Sequence, residues 1–316
     1  MFKIKRYIAE CAAEWDGFVS QTRNGTFLFM RQYMDYHADR FCDHSLMIYR
    51  KDKLCALLPG NEQDRVYYSH RGLTYGGLLV ATSLGTADIC EIFILINSYL
   101  KTCGLYKVVY KTIPWIYHRM PAEEDLYALF KVCGAELISR EISTTIAYND
   151  SVQCFTESRR SGMRKAIRNG LIVEESDKLT DFWRILSDNL AEKYDAKPVH
   201  SLEEIQLLKS RFPKNISLFM VSLADETPLG GAIIYDCSPV VHTQYISASP
   251  EGKSQGALDL LFYHIINNVY AKSVYKYFDL GTSTREGGKV LNEPLIFQKE
   301  GFGGRGVCYD TYEWNL

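Results

Sequence analysis

At about 100–200 residues per domain, a chain of 316 residues is long enough for two domains, each with a core of its own. A hydrophobic fraction of 47% and a charged fraction of 23% exclude intrinsic disorder and a collagen-like chain. Lys and Arg total 36 against 38 for Asp and Glu, a formal net charge of −2, so no global field draws the chain to nucleic acid or anionic lipid, and any basic contact is local.

The nine cysteines are widely spaced, with neither a Cys-x-x-Cys pair nor a Cys/His group at zinc spacing. They read as reduced thiols, and no metal is expected. The start, Met1-Phe2-Lys3-Ile4-Lys5-Arg6, is basic but runs into an acidic and aromatic stretch with no apolar h-region. A secretory signal is therefore not expected, and the compartment reads as cytoplasmic. The longest chargeless run, 72–87, is rich in Gly and Thr and shorter than the ~20 apolar residues of a membrane-spanning helix. The 22 tyrosines suit a polar cleft as readily as a core.

In chain order, alternation predicts strands at 46–50 and 54–58 across a Lys51–Asp52 turn, and a third at 66–69. A Gly-rich loop (Gly72, Gly76, Gly77) follows, then a helix near 86–101, a strand at 106–113, a short helix at 123–132 stopped by Gly134, and strands to Tyr148. The linking segment adds a helix at 158–169 with Gly170 as its stop and another at 181–194 with apolar Phe182, Leu186 and Leu190. The first order then returns: strands at 218–224, 230–235 and 240–247, a loop with Gly252 and Gly256, a helix at 257–270, a strand at 275–280, a helix at 293–300 stopped by Gly301, and a final strand. Tyr106-Lys107-Val108-Val109 echoes Tyr275-Lys276-Tyr277-Phe278, and Lys131 echoes Lys299 at nearly the same offset. A duplication with its boundary near Asn149–Asp150 is the reading, giving domains 1–149 and 150–316.

A hairpin, a strand, a loop opening a helix and a further strand resemble the GNAT acyltransferase fold. An acyl-CoA donor carries a pyrophosphate, and the amides and dipole of a helix N-terminus suit it. In the GNAT donor-loop pattern, Lys253 and Gly256 fit, whereas Leu258 stands where Gly or Ala is usual. The resemblance implies donor contacts at Gly252, Lys253, Ser254, Gln255, Gly256 and Ala257. Tyr277-Phe278-Asp279-Leu280-Gly281 and Phe297-Gln298-Lys299-Glu300-Gly301-Phe302-Gly303-Gly304 further resemble the paired signatures of the FemABX-like branch, which carries two GNAT domains in one chain. The expected fold is accordingly α/β (α+β), with two tandem GNAT-like domains, each a mixed, mostly antiparallel central sheet flanked by helices. The donor belongs to the second domain, and the acceptor to the first.

Acyl transfer to an amine needs a base for the amine, a donor for the oxyanion and an acid for the leaving group. Lys299 aligns with the Lys of the family signature, where its charge would stabilise the oxyanion; otherwise it is a solvated helix-end charge. His242 is the candidate base and Tyr245 the candidate acid, although alternation sets His242 and Gln244 on one face and Tyr245 on the other unless the strand bulges. Asp279 either orients an amine or caps the following loop. In the first half, Ser69, His70, Arg71, Thr74, Tyr75 and Gly76 crowd a strand end between glycines, a setting for acceptor binding in an interdomain cleft.

Three functions follow. The first is an N-acyltransferase moving an acyl group from acyl-CoA to a small-molecule, peptide or sugar amine. The second is a Fem-type transferase using aminoacyl-tRNA on a cell-wall precursor, with Arg160 and Arg164 on the basic segment 159–168 as phosphate contacts. A tRNA partner fits less well, because 181–211 is broken by Pro198 and lacks the heptads of the branch's coiled-coil insertion. The third is a degenerate GNAT module that binds a ligand without chemistry, as the departure at Leu258 would allow. Gly301-x-Gly303-x-x-Gly306 matches a dinucleotide motif but precedes its strand, so a dehydrogenase is excluded.

Overall fold

The computed structural model describes residues 1–148, 155–194, 197–272 and 274–316. Its elements, in chain order, begin with β1 (Phe2–Arg6), α1 (Ala12–Val19), α2 (Arg31–Met34), β2 (Cys42–Asp43), β3 (Leu46–Arg50), β4 (Lys53–Leu58), β5 (Asn61–Gln63), β6 (Val66–Tyr68) and β7 (Leu79–Val80). Then come α3 (Thr86–Thr102), β8 (Lys107–Lys111), α4 (Glu124–Ala128) and β9 (Glu136–Ala147). The later part holds α5 (Glu157–Arg168), β10 (Ile172–Ser176), α6 (Leu179–Tyr194), α7 (Leu202–Arg211), β11 (Ile216–Ser222), β12 (Pro228–Cys237) and β13 (Val240–Ala248). It ends with α8 (Pro250–Gln255), α9 (Ala257–His264), β14 (Tyr277–Thr282), β15 (Thr284–Arg285), β16 (Val290–Leu291), α10 (Glu293–Glu300) and β17 (Arg305–Asn315).

The described residues gather into two compact units. One is Met1–Ile142 with Thr284–Leu291 and Val307–Leu316; the other is Ser143–Ser283 with Asn292–Gly306. The boundary read from the sequence, Asn149–Asp150, lies outside the described residues. Neither unit is contiguous, because the last strand of each half ends beside the parallel strand of the other half's repeat: Thr311–Asn315 pair with β8 and Ser143–Ala147 with β14. A strand there covers the backbone groups that a bare sheet edge would leave unpaired.

In the first unit β1, β3, β4 and β7 form an antiparallel sheet, while β6 pairs parallel with β8 and antiparallel with β5. The core is the face of α3 that carries Ile89, Ile92, Phe93, Ile96 and Leu100, packed with Leu46, Ile48, Ala56, Leu58, Val108 and Tyr110. Those helix positions recur at the 3–4 residue spacing that makes one buried stripe.

The second unit orders its strands β10-β11-β12-β13-β14-β9, with β13 parallel to β14. Phe219, Val221, Ala232, Ile234, Val241, Phe278 and Leu280 pack against Ala166 of α5 and Ala257, Leu261 and Phe262 of α9. The strand pairs correspond: β3–β4 to β11–β12, and the parallel β6–β8 to β13–β14. They differ where β12 pairs straight on to β13, whereas β4 pairs with β7.

The segment expected as a Gly loop, Ser249–Ala257, is mostly helical. Ser249 caps α8, its Oγ accepting from Gly252 N at 3.0 Å, and Pro250 at the first helical position removes an amide that no helix could pair. Gly256, with φ of 79°, turns the chain into α9. A Cβ there would overlap the carbonyl oxygen of Gly162 on α5. This glycine therefore serves helix packing, which corrects the expectation of a backbone held open for a pyrophosphate. Gly256→Val is expected to lower stability by about 1–3 kcal/mol, from a strained φ and an overpacked crossing. Urea unfolding measures this, and an unchanged midpoint would contradict the packing role.

Candidate active site in the second unit

The site begins with an irregularity in β13. Ile233 pairs with Tyr245 but Ile234 pairs with Thr243, so Gln244 is an extra residue, a β-bulge. Tyr235 pairs with His242. Residues paired across strands share a face, as do Ile233 and Tyr235 two positions apart, so His242 and Tyr245 point the same way. Simple alternation, which sets them apart, fails for that reason.

On the neighbouring strand Asp279 is fully buried. Its Oδ1 accepts from Thr145 Oγ1 at 2.9 Å and from Ser143 Oγ. Its Oδ2 lies 2.8 Å from His242 Nδ1. A carboxylate taken out of water must be paired in this way. A His held through Nδ1 by a carboxylate is also fixed in ring orientation, so His242 and Asp279 act as a unit.

Lys299 is not a solvated helix-end charge. It is 6% exposed, and its Nζ donates to Gly281 O and Thr282 O at 2.8 Å each. Those carbonyls sit where the β14–β9 register slips between Asp279 and Thr282, and Gly281 makes the slip with a φ of 79°. Burial pulls the Lys299 amine down to about 8, with the Asp279 charge working in the opposite direction. The point a Cβ at Gly281 would occupy is 3.7 Å from His242 Cε1 and 3.9 Å from Lys299 Nζ, so both groups border one small space.

Parallel pairing of β13 with β14 spans only Val240 to His242. Beyond it lies a cleft of about 310 Å³. Leu186, Leu190, Ile246, Leu258, Phe262 and Leu280 make its apolar wall; Asn189, Lys253, Asn292, Gln298 and Lys299 supply polar groups. Of the expected donor residues, Lys253 lines this cleft, bonded to Asn189 Oδ1. Gly252 packs on the Leu229 backbone. Ser254 Oγ donates to Glu251 O, Gln255 is tied to Glu251 and Asn169, and Ala257 is buried at the start of α9.

Tyr245 is not among the cleft residues. Its hydroxyl is 2.6 Å from His200 Nδ1 and accepts from His200 N at 3.2 Å, its ring meets Trp183 edge-on, and burial raises its pKa. Arg160 and Arg164 are exposed on α5 and share one partner: Glu157 accepts from Arg160 Nε at 3.0 Å and from Arg164.

The strand-end loop of the first unit is tied to neighbouring elements of that unit. Ser69 Oγ accepts from Lys111 N at 2.8 Å, and Gly76 lies so close that a Cβ would overlap the Ser69 carbonyl. The buried Tyr75 bonds Thr26 Oγ1 at 3.0 Å. His70 is buried with φ of 64° and pushed down to about 3 by burial, so it stays neutral at pH 7. Arg71 and Thr74 are exposed, Arg71 lying 4.5 Å over the Tyr68 ring.

Comparison with known proteins agrees with this geometry. Residues 157–287 match the family model described as an acetyltransferase (GNAT) domain. The fold is similar to FemX over 99% of this chain and 97% of that one, with TM-score 0.72 and 13% identity. It is similar to L-PGS from Bacillus licheniformis over 96% and 91%, with TM-score 0.61 and 13% identity. A tandem GNAT protein from the clavulanic acid biosynthesis pathway is covered to 98% by the whole of this chain, with TM-score 0.53 and 9% identity. No curated protein matches the chain. Residues 157–287 thus carry a GNAT acetyltransferase domain, and the whole chain shares its fold with FemX and with a tandem GNAT protein. It has the tandem, FemX-like architecture.

Sequence reasoning missed Ser143 and Thr145, which lie in a strand of the other half of the repeat, Asn189 and Asn292, which carry no motif, and Gln298, which sits in the signature beside Lys299 without a role of its own. His200 was equally silent, although the Ser201–Glu204 capping box that begins at the next residue marks the helix beside it. Asp279→Asn is expected to destabilise the protein by about 1–3 kcal/mol, because three donors lose a charged acceptor. A chemical-denaturation midpoint equal to that of the wild type would contradict the network.

Proposed function

We propose that the protein moves an acyl group from acyl-CoA to an amine, with the donor held in the second unit. The observation that carries this reading is the cleft opened where β13 and β14 part. Beyond His242, β13 has an edge that β14 does not pair, and an extended pantetheine arm bearing two amides can bond such an edge as an added strand would. Lys253, exposed at one part of the wall, is suited to the pyrophosphate as a charged contact. Lys299 is suited to the thioester carbonyl. As an ammonium it stabilises the oxyanion that forms on attack, and His242, oriented by Asp279, takes the proton of the attacking amine.

The acceptor is an amine of a small molecule, peptide or sugar. Cytoplasmic work, where acyl-CoA is found, goes with this reading. No helix among the described residues is long and apolar enough to cross a membrane.

A second reading, a Fem-type transferase using aminoacyl-tRNA, draws support from the likeness to FemX and from the basic surface of α5. Its Arg160 and Arg164 are already partly neutralised by Glu157, which favours the acyl-CoA donor. Calorimetry with acetyl-CoA tests the choice. The wild type is expected to bind, and Lys253→Glu to bind about 10–100-fold more weakly through loss of a charged phosphate contact. Absence of acetyl-CoA binding together with a gel shift by aminoacyl-tRNA would replace the first reading with the second.

A further inference from the structure

The environment of Lys299 suits it to a second role. Both Gly281 O and Thr282 O accept from its Nζ at 2.8 Å. A neutral amine has two N–H bonds and one lone pair; with both N–H groups held by β14, the lone pair is directed away from those carbonyls. The side chain lines the same cleft as Ala248, Leu258 and Gln298, where the acyl-CoA reading sets the thioester. Burial brings the amine down to about 8, so about a tenth of it is uncharged at pH 7. An uncharged, oriented amine beside a bound thioester is the arrangement of an acyl acceptor.

We propose that Lys299 is a self-acylation site: with acyl-CoA in the cleft and no amine substrate present, Nζ takes the acyl group itself. This rests on the acyl-CoA reading. The Nζ lone pair attacks the thioester carbonyl carbon, an N–C bond forms, the C–S bond breaks, and the Nζ proton leaves with the thiolate as free CoA thiol. The product is an amide, Nε-acyl-lysine, which neither ionises nor donates more than one N–H. It can no longer offer a cation to the oxyanion, so self-acylation silences an enzyme that lacks its acceptor.

Mass spectrometry of the intact, folded protein after incubation with acetyl-CoA, followed by proteolytic mapping, tests the proposal. One acetyl group is expected on Lys299, at a rate that saturates with acetyl-CoA and exceeds that of Lys253 in the same cleft by about tenfold or more, as proximity demands. It is expected to vanish from the protein in Lys299→Arg and Lys299→Gln, two variants that each keep a donor for the carbonyls. The S-acetyl thioester of N-acetylcysteamine, a donor without nucleotide or pyrophosphate, is run in parallel. Acetylation spread evenly over exposed lysines, or absent from Lys299 while calorimetry records bound acetyl-CoA, overturns self-acylation and leaves the donor reading standing. Lys299 acetylated by the short thioester while acetyl-CoA neither binds nor reacts overturns the donor reading, and with it acyl-CoA as the source of the modification.

Discussion

Two parallel strands that stay in register for three residues and then part govern the rest of the second unit. Val240–His242 pair with Tyr277–Asp279. Past that point a bulge at Gln244 in one strand and a slip around Gly281 in the other carry the two backbones away from each other. Parting leaves backbone groups that need partners, and burial makes each one costly if unmet. On β14 the answer is Lys299, whose ammonium reaches two of the freed carbonyls. On β13 the edge borders the cleft, where a ligand amide can do the same work. One deformation thus generates both the binding groove and the charged group that faces it.

The charges in this region are held in balance by burial. Asp279 is tied to Ser143, Thr145 and His242, and Lys299 is surrounded by main-chain oxygen and apolar wall. Desolvation lowers the lysine and the carboxylate raises it, and the outcome is an amine poised near physiological pH. Such tuning is typical of groups that exchange protons or stabilise a passing charge. On the proposed reading the same amine, held by two carbonyls, also lines the cleft that takes the donor.

Much of this was legible in the sequence. Hairpins at 46–58 and 218–235 announced themselves by alternation, and the helix expected near 86–101 is α3, Thr86–Thr102. The signature segments around Asp279 and Lys299 led to the two ends of the candidate site. What escaped depends on non-local or bent backbone. Alternation could not see the bulge that returns Tyr245 to the face of His242, and no local pattern links Thr145 to Asp279 across more than a hundred residues. The Ser249–Ala257 segment misled because its glycines resemble a phosphate loop, while Ser249-Pro250, a helix-start pair, carried the opposite signal. Gly252 and Gly256 are small because Leu229 and Gly162 approach them closely. Sequence spacing alone cannot distinguish a glycine that packs a helix from one that admits a ligand.

The central claim is that the β13 edge beyond His242 receives the donor. Hydrogen exchange followed by mass spectrometry on peptides covering 243–248 and 280–283, with and without saturating acetyl-CoA, tests it most directly. Exchange in both segments is predicted to slow on binding, because the donor's amides replace water at the open edge. Binding of acetyl-CoA with unchanged exchange in both segments would contradict the account and move the donor site elsewhere on the molecule.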